Sequence, residues 1–409
     1  MQFSTVSIHG GYDGDSATGA TAVPVYQTAA FAYPSADGLA DVFAGRAPGH
    51  VYSRISNPTN HALERRLAEL ENGVGCLVAA SGMAAISAVF LALLRPGDEI
   101  VVANGIFGGT VSLIRNLLGG FGIGAKFAHA DAPAEFAAAI SKHTRLLFVE
   151  TIANPSLEVP DLRALSQLAR QAGIPLVVDA TATTPALARG RDLGADIVIH
   201  STTKFINGHG TAIGGAIVDT GSYDWRESPF REVRELARRA GSLAFMAYLR
   251  NRVARDLGIV AAPQNSFLML QGLETLAPRM RLHCANAGRL AEWLRTRPRV
   301  ARVVYPGLAD SPFAAIVQRQ FAGCGGAILT FDLADRAAAF ACLDRFRLAL
   351  RATNIGDVRT LVLHPASTIF AEYDEAERVA LGAGDATIRV SVGIEDFADL
   401  QRDFEQALA

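Results

Sequence analysis

Two residues stand where chemistry could be done. Asp179 closes the apolar run Pro175–Asp179, and Lys204 follows the run Asp196–His200. A lysine in a partly buried site loses proton affinity, which makes it both a base and an imine-former. A carboxylate set against a pyridine nitrogen keeps that nitrogen protonated and the ring able to accept electrons. Taken alone, the pair reads more readily as a helix cap and a surface lysine. The neighbours shift that balance. Ser201, Thr202 and Thr203 put hydroxyls suited to phosphate oxygens just before Lys204. Ser81-Gly82-Met83 opens a helix whose free N–H groups and dipole favour an anion. The run Gly119–Gly124 lacks dinucleotide-binding spacing and follows a helix, so it reads as a turn. His200 reads as a core or cofactor-shell residue, and His209 has no partner at metal-ligand spacing.

The elements that must position these residues alternate from about residue 61. Helical patterns at His61–Glu71, Met83–Leu94 and Asp161–Ala172 lie among short apolar runs at Gly75–Ala79, Glu99–Ala103, Arg145–Glu150, Pro175–Asp179, Asp196–His200 and Gly215–Asp219. Strands that are nearly continuous apolar runs, separated by helices, imply a parallel sheet covered on both faces. Ligands of such sheets bind beyond the carboxyl ends of the strands, where Asp179 and Lys204 fall. After Leu257 a long helical pattern over 265–297 precedes short strands at Val300–Val304, Ala327–Asp332 and Ile388–Val392. The division expected is therefore an arm over 1–60, a cofactor domain over 61–258 and a smaller α+β domain over 259–409. The first 60 residues show no sustained periodicity, yet they carry Tyr12, Tyr26, Phe31, Tyr33, Phe43 and Tyr52. Rings in such number want burial, and packing on a neighbouring subunit would supply it.

Composition narrows the class. The chain has 409 residues, half of them apolar and 19% charged, with a formal net charge of −2. Nothing there suggests a polyanionic partner, and the basic run Arg226–Arg239 is interleaved with Glu227, Glu232 and Glu235. Four cysteines form no CxxC pair, and Cys76 and Cys342 read as reduced core residues. The opening MQFSTVSIHGGYDG has no basic start followed by an apolar core, and no apolar run reaches the ~20 residues a bilayer span needs. A cytoplasmic enzyme with no nucleic-acid or membrane partner is the expectation.

Several segments together resemble the Cys/Met-metabolism family of fold-type I pyridoxal-phosphate enzymes. They are Val51-Tyr-Ser-Arg-Ile-Ser-Asn-Pro-Thr59, Ser81-Gly-Met-Ala-Ala85, Phe107-Gly-Gly-Thr110, Glu150-Thr-Ile-Ala-Asn-Pro155, Val178-Asp-Ala-Thr181, His200-Ser-Thr-Thr-Lys-Phe205 and Arg389-Val-Ser-Val-Gly393. The resemblance implies pyridoxal 5'-phosphate held as a Schiff base on Lys204, with Asp179 against its ring nitrogen. It implies Gly82, Met83, Ser201 and Thr203 at the phosphate, Phe107 stacked on the ring and Thr181 beneath it. Tyr52 and Arg54 match a pair that reaches the phosphate from the adjacent subunit, so a homodimer is the minimum and a homotetramer is implied. Asn154, Asn354 and Arg389 match positions at the substrate, Arg389 gripping its α-carboxylate through a planar fork.

Within the family the likeness runs to O-acetylhomoserine sulfhydrylases, through Gly10–Asp13, Ala22–Thr28, Gly208–Gly215, Asn354–Asp357 and His364–Thr368. It implies γ-replacement on an O-acylated homoserine by sulfide or a thiol. The alternatives are a γ-lyase for methionine, cystathionine or a non-sulfur amino acid, and, more remotely, a non-catalytic cofactor-binding protein. Gly109 stands where methionine γ-lyases usually place a cysteine. Four positions depart from the usual pattern: Phe107 for tyrosine, Ala180 for asparagine, Asn207 for glycine and Phe370 for a polar residue. The loss of a phenol at Phe107 favours substrates whose leaving group needs little acid help, with Tyr52 the nearest phenol to replace it.

Overall fold

The computed structural model describes residues 1–409 apart from Ser16. Seven strands form the larger sheet: β1 (Gly75–Ala79), β2 (Glu99–Ala103), β3 (Gly124–Ala128), β4 (Thr144–Glu150), β5 (Leu176–Asp179), β6 (Ile197–His200) and β7 (Gly215–Asp219). Their order is β1-β7-β6-β5-β4-β2-β3. The middle of the sheet is parallel, as its apolar runs imply, and β4, β5 and β6 are buried almost throughout. The sheet is thus mostly parallel, with β7 the exception, running antiparallel to both β1 and β6. The reason lies in the connection. Residues 201–214 form turns with no helix, and a chain without a crossover element returns antiparallel. β3 is a further strand that the sequence did not announce. Gly-Ala-Lys-Phe-Ala has no β-branched residue, and it is held as an edge by parallel pairing with β2.

Helices begin earlier than the aperiodic opening suggests. Within 1–60 lie α1 (Phe3–His9) and α2 (Ala36–Phe43), both too short to show a repeat, and α1 packs against α3 (Pro58–Leu70). α4 (Gly82–Leu93) starts where expected, the Ser81 side chain accepting a hydrogen bond from Ala84 N at 3.0 Å. The long helical pattern over 265–297 is two helices, Pro263–Glu274 and Leu276–Arg295. Pro278 explains the break, because its ring cannot pack against the carbonyl of Glu274 one turn earlier.

A second sheet, ordered β10-β11-β12-β9-β8, is built from β8 (Arg302–Val304), β9 (Ile328–Asp332), β10 (Leu350–Arg351), β11 (Leu361–Leu363) and β12 (Thr387–Ser391). Its core centres on Leu329, Phe331, Val390 and Phe404. The helix Leu276–Arg295 joins the two cores: Leu276 and Met280 sit in the first, Leu290 and Leu294 in the second. The helix thereby spans both cores, and Arg389 of β12 meets Asn154 just beyond the end of β4. The basic run lies along the helix Arg231–Ala240, where Arg231 pairs with Glu235 at 3.0 Å on an exposed face. No helix among the described residues is long and apolar enough to cross a membrane.

Candidate active site

Parallel register sets the floor of the site. β4 and β5 pair so that Glu150 lies beside Asp179, and β5 pairs with β6 so that Asp179 lies beside Ile199. The chain then leaves β6 in a turn in which Lys204 N donates to Ser201 O at 3.1 Å, pointing the lysine back across the strand ends. α4 begins close by. A methyl group on Gly82 would lie 2.7 Å from Ser201 Cβ, and one on Gly215 would lie 2.1 Å from Ser81 O. Only glycine fits either position. These contacts enclose a cavity of about 270 Å³, lined by Gly82, Met83, Phe107, Asn154, Asp179, Thr181, Ser201, Thr203, Lys204 and Arg389.

The charges in this cavity are unevenly compensated. Lys204 Nζ donates to Asn354 Oδ1 at 2.6 Å, and burial, reinforced by the charge of Arg389, lowers its pKa to about 8. Asp179 is buried, which raises its pKa, while Thr181 opposes that shift by donating its N–H (2.9 Å) and hydroxyl (2.5 Å) to Oδ1. The same threonine oxygen accepts Ser201 N at 2.8 Å, tying the two strand ends together. Arg389, 2% exposed, donates Nη1 to Asn154 Oδ1 and Nη2 to Asn354 O, each at 3.1 Å. Its Nε is buried without a partner, no carboxylate pairs with it among the described residues, and burial lowers its pKa to about 10.

Other expected residues sit differently. Tyr52 is 43% exposed and lies outside the cavity, with the Arg54 guanidinium over its ring at 5.6 Å. Arg54 donates to Arg255 O. In a single chain neither reaches Lys204. Thr203 lines the cavity, but its hydroxyl already exchanges hydrogen bonds with Gly214 N and O. Phe370 is fully buried against Tyr373, so its neighbour Ile369, not Phe370, faces the cavity. Ala180 is buried, and Asn207 caps its own turn by accepting His209 N at 3.0 Å. His200 is buried with Nε2 at 2.7 Å from Glu71 Oε1, and no metal-binding cluster occurs among the described residues.

Sequence reasoning missed Glu150 and the apolar wall of Ile152, Ile213, Ile355 and Ile369. Glu150 carried the same signal as Asp179, a carboxylate closing an apolar run. The isoleucines carried none, because an apolar residue in a loop has no pattern that marks which cavity it will face.

The residues fit pyridoxal phosphate. The close approach of Gly82 to Ser201 leaves the N-terminus of α4 open to an anion. Asp179 is a buried carboxylate with no cation paired to it among the described residues, suited to a protonated ring nitrogen. Lys204 has the lowered proton affinity of an imine-former.

Comparison with known proteins agrees over the full length. Homocysteine synthase of Schizosaccharomyces pombe is 38% identical, covering 99% of this chain and 98% of its own. L-methionine gamma-lyase of Pseudomonas putida is 39% identical, covering 99% and 97%. The crystal structure of a candidate O-acetylhomoserine (thiol)-lyase of Campylobacter jejuni, in which a lysine carries pyridoxyl 5'-monophosphate, superposes with a TM-score of 0.94 at 33% identity over all of both chains. The family model described as Cys/Met metabolism PLP-dependent enzyme matches residues 4–409, and the chain belongs to that family of pyridoxal-phosphate enzymes.

Proposed function

We propose that the protein catalyses γ-replacement on O-acetyl-L-homoserine with sulfide or a small thiol, giving homocysteine or a related thioether amino acid plus acetate. The observation that carries this reading is Arg389: a buried guanidinium, without a carboxylate partner, aimed with Asn154 into the cavity that holds Lys204. An amino acid's α-carboxylate completes that fork and sets Cα beside the lysine amine. The bound cofactor supplies an electron-poor ring that stabilises negative charge developing on substrate carbon. Lys204 Nζ removes the α-proton, a proton then leaves Cβ so that its electron pair expels the γ-oxygen, and both carbons regain a proton once the acceptor's sulfur has added. Asp179 holds the proton on the ring nitrogen, and Thr181 keeps that carboxylate aligned. Phe107 brings no hydroxyl, so the γ-group must leave unaided, as acetate can. The acceptor's sulfur then adds at Cγ in place of the departing oxygen.

Gly82, Met83, Ser201 and Thr203 hold the phosphate in this reading, and Tyr52 and Arg54 reach it from a neighbouring subunit. The exposure of Tyr52, Tyr26 and Phe43 in a single chain supports a dimer as the minimum unit, and the family likeness supports a tetramer. The division into 1–60, 61–258 and 259–409 and a cytoplasmic setting, in keeping with four unbridged cysteines, belong to the same proposal. The second reading, a γ-lyase, draws on the Pseudomonas relative. One assay separates them: O-acetylhomoserine with and without sulfide, scored for homocysteine against 2-oxobutanoate, with Lys204→Ala as control. Homocysteine only with sulfide is expected; 2-oxobutanoate at the same rate regardless of sulfide would overturn replacement.

A further inference from the structure

Glu150 has no part in the chemistry above, yet its carboxylate lies in the cavity beside Asp179. Its Oε1 accepts a hydrogen bond from Phe107 N at 2.7 Å. Phe107 immediately precedes the short helix α5 (Gly108–Ser112), where its side chain provides no cap and its carbonyl accepts Thr110 N at 2.9 Å. The peptide from which the aromatic ring projects is therefore held on its N–H side by Glu150 and on its carbonyl side by the helix. The ring itself is 40% exposed and has little core around it. It leans instead on Gly109, where an added methyl would lie 2.6 Å from Phe107 Cε1 and 3.2 Å from Cζ. Gly109 does not adopt a left-handed backbone, so space rather than dihedral strain requires glycine there.

From this geometry we infer that Glu150 and Gly109 are positioning residues that set the pose of the Phe107 ring at the cofactor cavity, Glu150 through the hydrogen bond it accepts from Phe107 N. Burial, and next the charge of Asp179, raise the Glu150 carboxyl well above its ordinary range, against the N–H groups of Phe107 and Asn154, which pull it down. Glu150 Oε1 accepts from Phe107 N whether or not the other oxygen carries a proton. Glutamine can take the same role, and leucine cannot.

The inference rests on the cofactor reading, and the test separates the two. Holoenzyme of the wild type, Glu150→Gln, Glu150→Leu and Gly109→Ala is compared by circular dichroism of the cofactor's visible band and by the cofactor's dissociation constant. Glu150→Gln should keep the wild-type band. Glu150→Leu should lose much of its amplitude and bind the cofactor roughly three- to tenfold more weakly, as expected for one lost hydrogen bond. Gly109→Ala should reproduce the spectral change with an unchanged melting temperature of the apoprotein, because only the ring tip must move. That variant keeps the inference testable if Glu150→Leu does not fold. Wild-type spectra in both Glu150→Leu and Gly109→Ala overturn the positioning role, and a Gln variant that behaves like the Leu variant overturns the hydrogen bond as the means of positioning. A wild-type protein with no cofactor adduct on Lys204 overturns the cofactor reading itself.

Discussion

Arg250 and Arg389 are both drawn out of water, and they are compensated in opposite ways. Arg250 reaches Glu64 at 2.7 Å and adds weaker contacts to the carbonyls of Ile55 and Cys76. Burial, the largest single influence, would lower its pKa, but the charge of Glu64 and the hydrogen bond to it together leave it raised. Glu64 shows the mirror image: burial would raise it, but Arg250, with His61 and Val78 N, leaves it lowered. Arg389 has only neutral partners, and burial acts on it unopposed. A buried charge left alone costs several kcal/mol, so a protein that keeps one has a use for it. Arg250 fastens β1 and α3; Arg389, with its Nε left unpartnered, takes the substrate's anion in the function proposed above.

The sharpest way to break this contrast is to remove each arginine in turn. Arg389→Leu should lower kcat/KM for the amino-acid substrate about 10²–10³-fold while the melting temperature of the apoprotein holds or rises. Arg250→Leu should do the reverse, costing about 2–4 kcal/mol of stability by stranding Glu64 and leaving kcat/KM of the folded protein within a few-fold. The sign with pH follows. In the wild type the lowered Glu64 contributes stability that is full above the unfolded carboxylate range and lost as pH falls through the folded value. In Arg250→Leu the buried carboxyl keeps Val78 N and the His61 ring but loses its permanent cation, so acidification should stabilise that variant as His61 and then Glu64 take up protons. An Arg389→Leu protein that loses stability but keeps activity would erase the distinction.

Asp179→Asn tests the other uncompensated charge. Turnover should fall on the order of 10²-fold, since each pKa unit of lost ring-nitrogen affinity is worth ~1.4 kcal/mol. Cofactor affinity, measured by equilibrium titration, should change much less. Near-normal turnover would remove Asp179 from the chemistry.

Lys204 offers a subtler measurement. Only the neutral amine captures an aldehyde, so uptake of pyridoxal phosphate by the apoprotein should accelerate as pH rises through about 8, well below the ordinary lysine value. Burial is the larger cause of that lowering and Arg389 the next, so Arg389→Leu should move the midpoint upward by part of the difference. A midpoint unaffected by Arg389 would show that the two groups do not sense each other.

The smallest change is expected from Phe107→Tyr with O-acetylhomoserine, under about tenfold, because acetate needs little of the acid assistance that a phenol could give. Thioether substrates should gain more. Equal wild-type rates on methionine and O-acetylhomoserine, followed by product formation, would move the assignment to a γ-lyase.

Local chemistry made Asp179, Lys204 and the N-terminus of α4 legible, because each announces itself within a few residues. An apolar run closes on a carboxylate, hydroxyls precede a lysine, and a serine caps the helix that Gly82 begins. The parallel middle of the larger sheet was legible for the same reason, and β7 was not, since its direction depends on what the connection lacks. The pairing of Arg389 with Asn154 spans 235 residues and follows from how the second sheet docks against the strand ends. The same docking brings Asn354 to Lys204 and turns Ile369 inward while Phe370 is buried. Glu150 acquired its partner only when Phe107 folded over it. Residue type and short-range pattern determined which groups could do chemistry; only tertiary packing decided which charges were left unpaired, because compensation depends on distance in space.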